Sequence, residues 1–469
     1  MTTHSTEFIT PELLARYDVP GPRYTSYPTA LEFHEGVDES HYLQHLEKLA
    51  ASGDAISMYV HIPFCKSRCH FCGCHTALCN DTSEMTAYVD NLLAELSLLA
   101  KRVSQRLPLV ALHFGGGTPT YLPDVQMGRI MDKVQKLFDV QPGAEVSIEV
   151  NPAVSSPTQV SFLRSLGFNR ISVGVQDFNP IVLKGIGRHQ PKETTLAIID
   201  AARASGFNSV NLDLVYGLPF QTPASFAHTL DEVLAVRPDR VALYSFAYIP
   251  WIRDNQSHID ETALPGRDDK FAFFAMAMKA FGQKDYLQIG MDHFALCEDE
   301  LGQAASNGTL FRNFMGYTVT KSRNILGVGV SSIGYVDSAF FQNVKDNNTY
   351  YQRIGSGLLP VEKGVVLSTD DLMRAQVITE LMCNFRLDFA AFEQRFDISF
   401  ERVFAHELGQ LKAQREAAAA GNELAFTEPP THELKLTPVG RIFVRNVCMV
   451  FDRYLKNKTE NRPLFSRTV

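Results

Sequence analysis

The chain of 469 residues contains no long apolar run. Nothing in it approaches the roughly 18 consecutive residues of a membrane-spanning helix, so no membrane span is expected. Its opening stretch, MTTHSTEFITPELLARY, lacks both the basic start and the apolar segment of a secretory signal, and a cytoplasmic location is the expectation. Basic residues are not in excess either. Lys and Arg number 44 against 52 Asp and Glu, and the formal net charge of −8 argues against a bulk nucleic-acid binder. An anionic small molecule would need a local basic pocket. No near-identical internal repeat is present. Cysteine is sparse outside one cluster: Cys297, Cys383 and Cys448 stand singly and are most simply buried small hydrophobes.

With 45% hydrophobic and 20% charged residues, the composition is that of an ordinary globular protein long enough for one large domain plus smaller ones. Apolar, β-branched runs occur at 56–62 (ISMYVHI), 109–114 (LVALHF), 145–150 (EVSIEV), 170–175 (RISVGV), 209–214 (SVNLDL) and 240–246 (RVALYSF). Segments of helical period separate most of them, at 85–103, 125–138, 193–205 and 226–236. That alternation calls for βαβ units and a parallel sheet, and the near-continuous apolar strands suggest a sheet covered on both faces. The pattern alone leaves a closed barrel, a partial barrel and a doubly wound sheet open. Two regions stand apart. Residues 21–33 (GPRYTSYPTALEF) are too irregular for a regular element. From about 366 the chain reads helical, as at 368–385, with a plain helix end in the Ala-rich 415–422 and a strand, turn and helix over 434–455.

Five of the eight cysteines, Cys65, Cys69, Cys72, Cys74 and Cys79, fall in HIPFCKSRCHFCGCHTALC (61–79), just after the first strand. In a cytoplasmic chain such a cluster points to metal or redox chemistry rather than disulfides. The spacing CxxxCxxC puts three thiolates on one short loop, and thiolates select zinc, Cu(I) or iron–sulfur clusters. Structural zinc would need a fourth ligand from Cys74, His61, His70 or His75, and it prefers two separated Cys pairs. The chain has no second pair. The other reading is a [4Fe–4S] cube on three cysteines with one iron open to a small molecule. GGGTPT (115–120) follows the second strand, and its glycines permit close approach to the backbone. Glu149 ends the third strand and could hold a ribose diol. Other polar residues also follow strands, and such ends form the active face of barrel-type folds.

CxxxCxxC with Phe71 before its last cysteine resembles the radical S-adenosylmethionine (SAM) superfamily. GPRYTSYPTALEF, YVHIPFC, CxxCxC, GGGTPTYL, SIEVNP, SVGVQDFN, DLVYGLP, IGMDHFA, LFRNFMGYT, LGVGVSSIG and CNFRLD extend the likeness over nearly the whole chain. Within the superfamily they resemble the oxygen-independent coproporphyrinogen III oxidase family. The resemblance implies a partial (β/α)6 TIM-like barrel, with parts at 1–55 (an N-terminal extension over the barrel mouth), 56–365 (the barrel and its extension) and 366–469 (a mostly helical C-terminal domain). It implies oxidative decarboxylation of two propionates of coproporphyrinogen III to vinyl groups, giving protoporphyrinogen IX, by way of a 5′-deoxyadenosyl radical. A SAM- and cluster-binding heme chaperone is the alternative; the fourth cysteine of CxxCxC and the PRYTSYP stretch favour the oxidase.

Position by position, the resemblance makes Cys65, Cys69 and Cys72 the cluster ligands. It lines the cluster-bound SAM with Tyr59, Phe71, Gly116, Glu149 and Ile333. It implies a second SAM lined by Gly117, Thr118, Gln176, Arg188, Asp213 and Ala247. Cys74 is expected near SAM or substrate as a catalytic residue, whereas Cys79 has no assigned role. A four-carboxylate substrate needs cations, and Arg23 with its neighbour Tyr24 is the candidate contact. His293 and Arg312 are further candidates. Asn151, Ala153 and His70 depart from the family pattern. The expected partners are coproporphyrinogen III and a reductant such as a flavodoxin-type donor, and the protein is expected to be a monomer.

Overall fold

The computed structural model describes residues 9–320, 322–418, 424–428, 432–455, 465 and 467. Six strands follow one another in parallel, side by side: β1 (Ile56–Ile62), β2 (Pro108–Gly116), β3 (Asp139–Val150), β4 (Arg170–Gln176), β5 (Ser209–Tyr216) and β6 (Arg240–Ser245). Between them lie α1 (Thr82–Val103), α2 (Asp124–Leu137), α3 (Pro157–Ser165), α4 (Lys192–Ala204) and α5 (Pro223–Val236), with a further short helix at Pro180–Gly185 after β4. The helix starts are written locally. Asp81 accepts from the backbone N–H of Ser83, and Ser156 and Thr222 cap α3 and α5 with a proline in the first turn.

The sheet is open. Beyond β6 it continues with antiparallel β8 (His293–Leu296) and β7 (Tyr286–Ile289). Beyond β1 it continues with parallel β9 (Asn324–Val328) and then β10 (Ile333–Val336), β11 (Ala339–Asn343) and β12 (Val361–Val366). The order β12-β11-β10-β9-β1-β2-β3-β4-β5-β6-β8-β7 keeps β1 and β6 from closing on each other, which makes a partial barrel. The strands after residue 246 carry little local signal. They run four to six residues, and tertiary pairing decides them.

The two faces of the barrel strands differ, which corrects the expectation of apolar cover on both. Outward, Met58, Val60, Leu112, Phe114, Ile148, Val150, Val173, Leu212 and Leu214 pack into one core with helix residues such as Leu92, Leu96, Ile130, Val134 and Leu230. Each is 0–3% exposed, worth roughly 1.5–3 kcal/mol per side chain. Inward, the alternate positions Tyr59, His113, Ser147, Glu149, Ser172, Asn211 and Asp213 are polar. Parallel register sets Tyr59 beside His113, His113 beside Ser147, Glu149 beside Ser172 and Ser172 beside Asn211. A lumen lined by these side chains is not a dry apolar core.

Residues 21–33 are irregular apart from one turn of 3-10 helix at Ala30–Glu32, and helices Pro11–Tyr17 and Glu39–Ser52 flank them. The stretch is wedged between barrel and C-terminal helices. The Arg23 guanidinium donates to the Ser245 carbonyl at the end of β6 (2.7 Å), while Arg445 donates to the Gly21 and Pro22 carbonyls. The C-terminal region holds helices Thr369–Asn384, Phe389–Phe396 and Ala405–Glu416. It adds a three-stranded sheet of Arg386–Asp388, Glu433–Leu436 and Ala425–Glu428. Residues 419–422 of the Ala-rich stretch lie outside the described residues.

Candidate active site

The cysteine loop leaves and returns at one place. Strand Phe64–Cys65 pairs in parallel with Ala77–Leu78, and the Ala77 N–H donates to the Pro63 carbonyl at 2.8 Å. Between these anchors the loop has little hydrogen bonding of its own, and a distant segment supplies it. The buried Asn255 amide donates to the carbonyls of Cys69 (3.1 Å), His70 (2.9 Å) and Cys72 (3.0 Å). Two N–H groups thus serve three acceptors. Gln256 extends the clamp to the carbonyls of Phe71 (3.3 Å) and Ala247 (3.1 Å). Neither amide was singled out in the sequence, because no motif marks a side chain that acts across more than 180 residues.

The glycine turn docks on the same loop. The N–H groups of Gly117 and Thr118 donate to the carbonyls of Ile62 (2.8 Å) and Phe64 (2.9 Å). A Cβ at Gly117 would lie 2.5 Å from the Pro63 carbonyl oxygen. Gly116, at φ +117°, would push one into the His61 ring at 2.6 Å. These glycines therefore bring the end of β2 against the thiol loop, in addition to any ligand they admit.

The thiols sit in contrasting fields. Burial raises the Cys65 pKa to about 11, against the Thr118 hydroxyl 3.5 Å away, and burial likewise raises that of Cys69. The Cys72 thiol is pushed down, chiefly by a hydrogen bond from the Cys74 side chain, and the Cys74 backbone N–H also points at its sulfur (3.4 Å). The Arg188 cation favours the Cys69 thiolate. Arg188 is itself fixed by Gln190 (2.8 Å), Asn151 (2.9 Å) and the Gly174 carbonyl (2.8 Å). Asn151, a departure from the family pattern, is therefore an acceptor for this arginine.

The strand-end carboxylates are held differently. Glu149 accepts from the Gly116 N–H (3.2 Å) and faces His113 Nε2 at 3.4 Å, with Ser147 on the other ring nitrogen (2.7 Å). Asp213 accepts from Ser172 (2.9 Å) and Asn211 (2.8 Å). Burial, then the charge of Glu149, raises its pKa to about 6. Tyr59 stacks on His113 at 5.9 Å and reaches His61 Nδ1 at 3.1 Å. Burial lowers His61 to about 4, so it is neutral near neutral pH.

One cavity, open to solvent, brings together Cys65, Cys69, Cys72, Cys74, Phe71, Gly116, Gly117, Thr118, Glu149, Gln176, Arg188, Asp213, Ala247 and Arg23. An adjoining one shares Cys74, Gly116 and Glu149 and adds Tyr59 and Ile333. Tyr24 lines neither. Its ring is buried and its hydroxyl donates to Asp452 (2.9 Å), because a buried phenol needs a partner and the C-terminal region supplies one. His293 is turned to Asp292 (2.7 Å), and Arg312 donates to the Arg23 carbonyl (2.9 Å). Cys79 is buried and points to the Asp81 carbonyl. Sequence reasoning also missed His113, Ser147, Ser172 and Asn211; the period-2 alternation was the signal that would have found them.

Among the described residues, no three His, Cys, Asp or Glu side chains gather as one metal ion requires. Three thiols ringing a large cavity beside polar strand ends fit a cluster with room for a ligand at an open iron. This donor set on a partial barrel defines the class, a radical SAM protein. The Radical SAM superfamily model matches residues 59–233, and that of the HemN C-terminal domain matches 367–426. Oxygen-independent coproporphyrinogen III oxidase of Escherichia coli is 40% identical over 97% of this chain and 98% of its own length. That of Pseudomonas aeruginosa is 39% identical over 98% of both. The solved structure of the Escherichia coli coproporphyrinogen III oxidase, described as a radical SAM enzyme, superposes with a TM-score of 0.87 at 39% identity. It covers 92% of this chain and 97% of its own. The chain belongs to the oxygen-independent coproporphyrinogen III oxidase family. Membership implies a [4Fe–4S] cluster and SAM. No helix among the described residues is long and apolar enough to cross a membrane.

Proposed function

We propose that the protein converts two propionates of coproporphyrinogen III to vinyl groups in heme biosynthesis, giving protoporphyrinogen IX. The observation that carries this reading is the convergence of three free thiols with the strand-end polar residues in one cavity, in a chain alignable end to end with curated oxidases. Cys65, Cys69 and Cys72 hold the cluster, which together with SAM supplies one-electron chemistry and a carbon radical when bound. The chain positions and shields. Tyr59, Phe71, Gly116, Glu149 and Ile333 line the cluster-bound SAM, with Glu149 accepting from hydroxyl or ammonium groups. Gly117, Thr118, Gln176, Arg188, Asp213 and Ala247 line a second SAM. Cys74, at the border of the two cavities, lies against SAM or substrate.

Each vinyl group costs the substrate one hydrogen atom from a propionate β-carbon, one CO2 and one electron passed to an acceptor. Arg23, anchored on β6 through one hydrogen bond, contacts a substrate carboxylate. We further read the chain as three parts, 1–55, 56–365 and 366–469, working as a cytoplasmic monomer fed by a flavodoxin-type reductant. The test is anaerobic incubation of the cluster-loaded protein with coproporphyrinogen III, SAM and a reductant. Protoporphyrinogen IX is expected. Absence of vinyl product with a full cluster refutes the reading and leaves a cofactor-binding chaperone.

A further inference from the structure

The cations facing the two cavities are not equally available. Arg188 is committed to Gln190, Asn151 and Gly174. Arg68 is paired with Asp254 at 3.3 Å. Arg253 and Lys345 both line the smaller cavity, together with Glu149 and Ile333, and neither pairs with a carboxylate among the described residues. They come from unrelated elements. Arg253 opens the turn Asp254–His258, whose Asn255 and Gln256 clamp the cysteine loop. Its backbone is fixed at both ends, N–H to the Ile249 carbonyl (3.0 Å) and carbonyl from the Gln256 N–H (2.9 Å). Lys345 follows β11, where Val344 is tied to Pro360 (2.8 Å) and Ser331 (2.7 Å).

The two charges feel each other. Burial first, then the charges of Lys363 and Arg253, lower the Lys345 pKa, with Glu362 opposing. His75, lining the same cavity, is lowered by burial and by Lys345, Arg253 and Arg68, against a backbone hydrogen bond at Lys345. In a chain of net charge −8, unpaired cations brought close together cost free energy unless an anion joins them. Phe314 and Met315 give the same cavity an apolar wall. Carboxylates on a flat apolar frame match this combination.

The geometry points to Arg253 and Lys345 as the residues that hold propionate carboxylates of the tetrapyrrole in the smaller cavity. This rests on the proposed activity and extends it to substrate positioning. Arg253 offers a planar fork for two carboxylate oxygens and Lys345 a point charge, so the pair fixes orientation as well as affinity. By holding carboxylates that are not reacting, it leaves another propionate free to reach Cys74, Gly116 and Glu149, which line both cavities.

The test uses cluster-loaded, full-length protein under anaerobic conditions and coproporphyrin III, the oxidised macrocycle with the same four propionates. Fluorescence titration reads its Kd for wild type, R253Q, K345Q and the double variant. Each single change is expected to weaken binding about tenfold and the double change more, in line with hydrogen bonds to charged groups. R253K and K345R are expected to recover part of the loss. The tetramethyl ester, which has the frame without the charges, should bind wild type and double variant alike. Unchanged affinity of the double variant for the tetra-acid overturns the inference. Equal loss for acid and ester, or no binding of the acid by wild type, does the same. A wild type that binds the acid through these residues yet forms no vinyl product refutes the activity and leaves the assignment standing.

Discussion

On the outward face of β1 to β5, Met58, Phe114, Ile148, Val173 and Leu212 lie sealed beneath helices; on the inward face of the same strands, Tyr59, His113, Glu149, Ser172 and Asp213 surround a cavity. One residue separates the two sets at each strand. The outward set gains stability by leaving water. The inward set gives that up, and hydrogen bonds among its members replace the lost packing, as in His113 to Ser147 and Asn211 to Ser172 and Asp213. Stability and chemistry are thereby separable by substitution.

The largest effect is expected on the inward side. Cys69→Ala removes one of the three proposed cluster ligands, so iron and acid-labile sulfide should fall to background, with activity abolished and the fold retained by circular dichroism. A brown, active variant contradicts the ligand assignment. On the outward side, Phe114 is fully buried against Phe168 at 5.2 Å. Phe114→Ala should lower unfolding free energy by about 3–5 kcal/mol in denaturant while the folded fraction still binds cluster.

A carboxylate buried in the outer layer sharpens the contrast. Glu95 on α1 accepts from the Gly329 N–H (2.8 Å), Asn343 (2.8 Å) and Tyr350 (2.6 Å), and burial raises its pKa from 4.5 to about 7. The folded state holds this proton more tightly than the unfolded one. Its contribution is therefore fullest below about pH 4.5, falls as pH rises to about 7 and stays flat above, a span on the order of 3–4 kcal/mol. Glu95→Gln should remove that slope when stability is compared at pH 5 and pH 8. The smallest global effect belongs to Asn255→Ala. It deprives three loop carbonyls of a donor, roughly 1–3 kcal/mol of local order. It should speed iron loss to a chelator while leaving the melting temperature of the iron-free protein nearly unchanged.

The same contrast explains what was legible in the sequence. β1 to β6 and α1, α2, α4 and α5 announce themselves because outward apolar residues recur with strand or helix period over long stretches, whereas the short α3 does not. Glu149 and Asp213 stood out as acids near strand ends. His113, Ser147 and Ser172 did not, because single polar residues inside β-branched runs look like interruptions until the sheet is curved. The Asn255 clamp was invisible for another reason: its partners are fixed only when β6 and β1 share one sheet. Tyr24 shows the converse. Adjacency to Arg23 suggested a shared role, and the backbone turned the two side chains to different partners, Ser245 and Asp452.

The most direct test follows one hydrogen. Coproporphyrinogen III deuterated at the propionate β-carbons is incubated anaerobically with cluster-loaded protein, SAM and a reductant, and the 5′-deoxyadenosine formed is analysed by mass spectrometry. The account predicts deuterium in the 5′-deoxyadenosine together with a vinyl-bearing product. Unlabelled 5′-deoxyadenosine alongside vinyl product, or labelled substrate recovered intact, contradicts it.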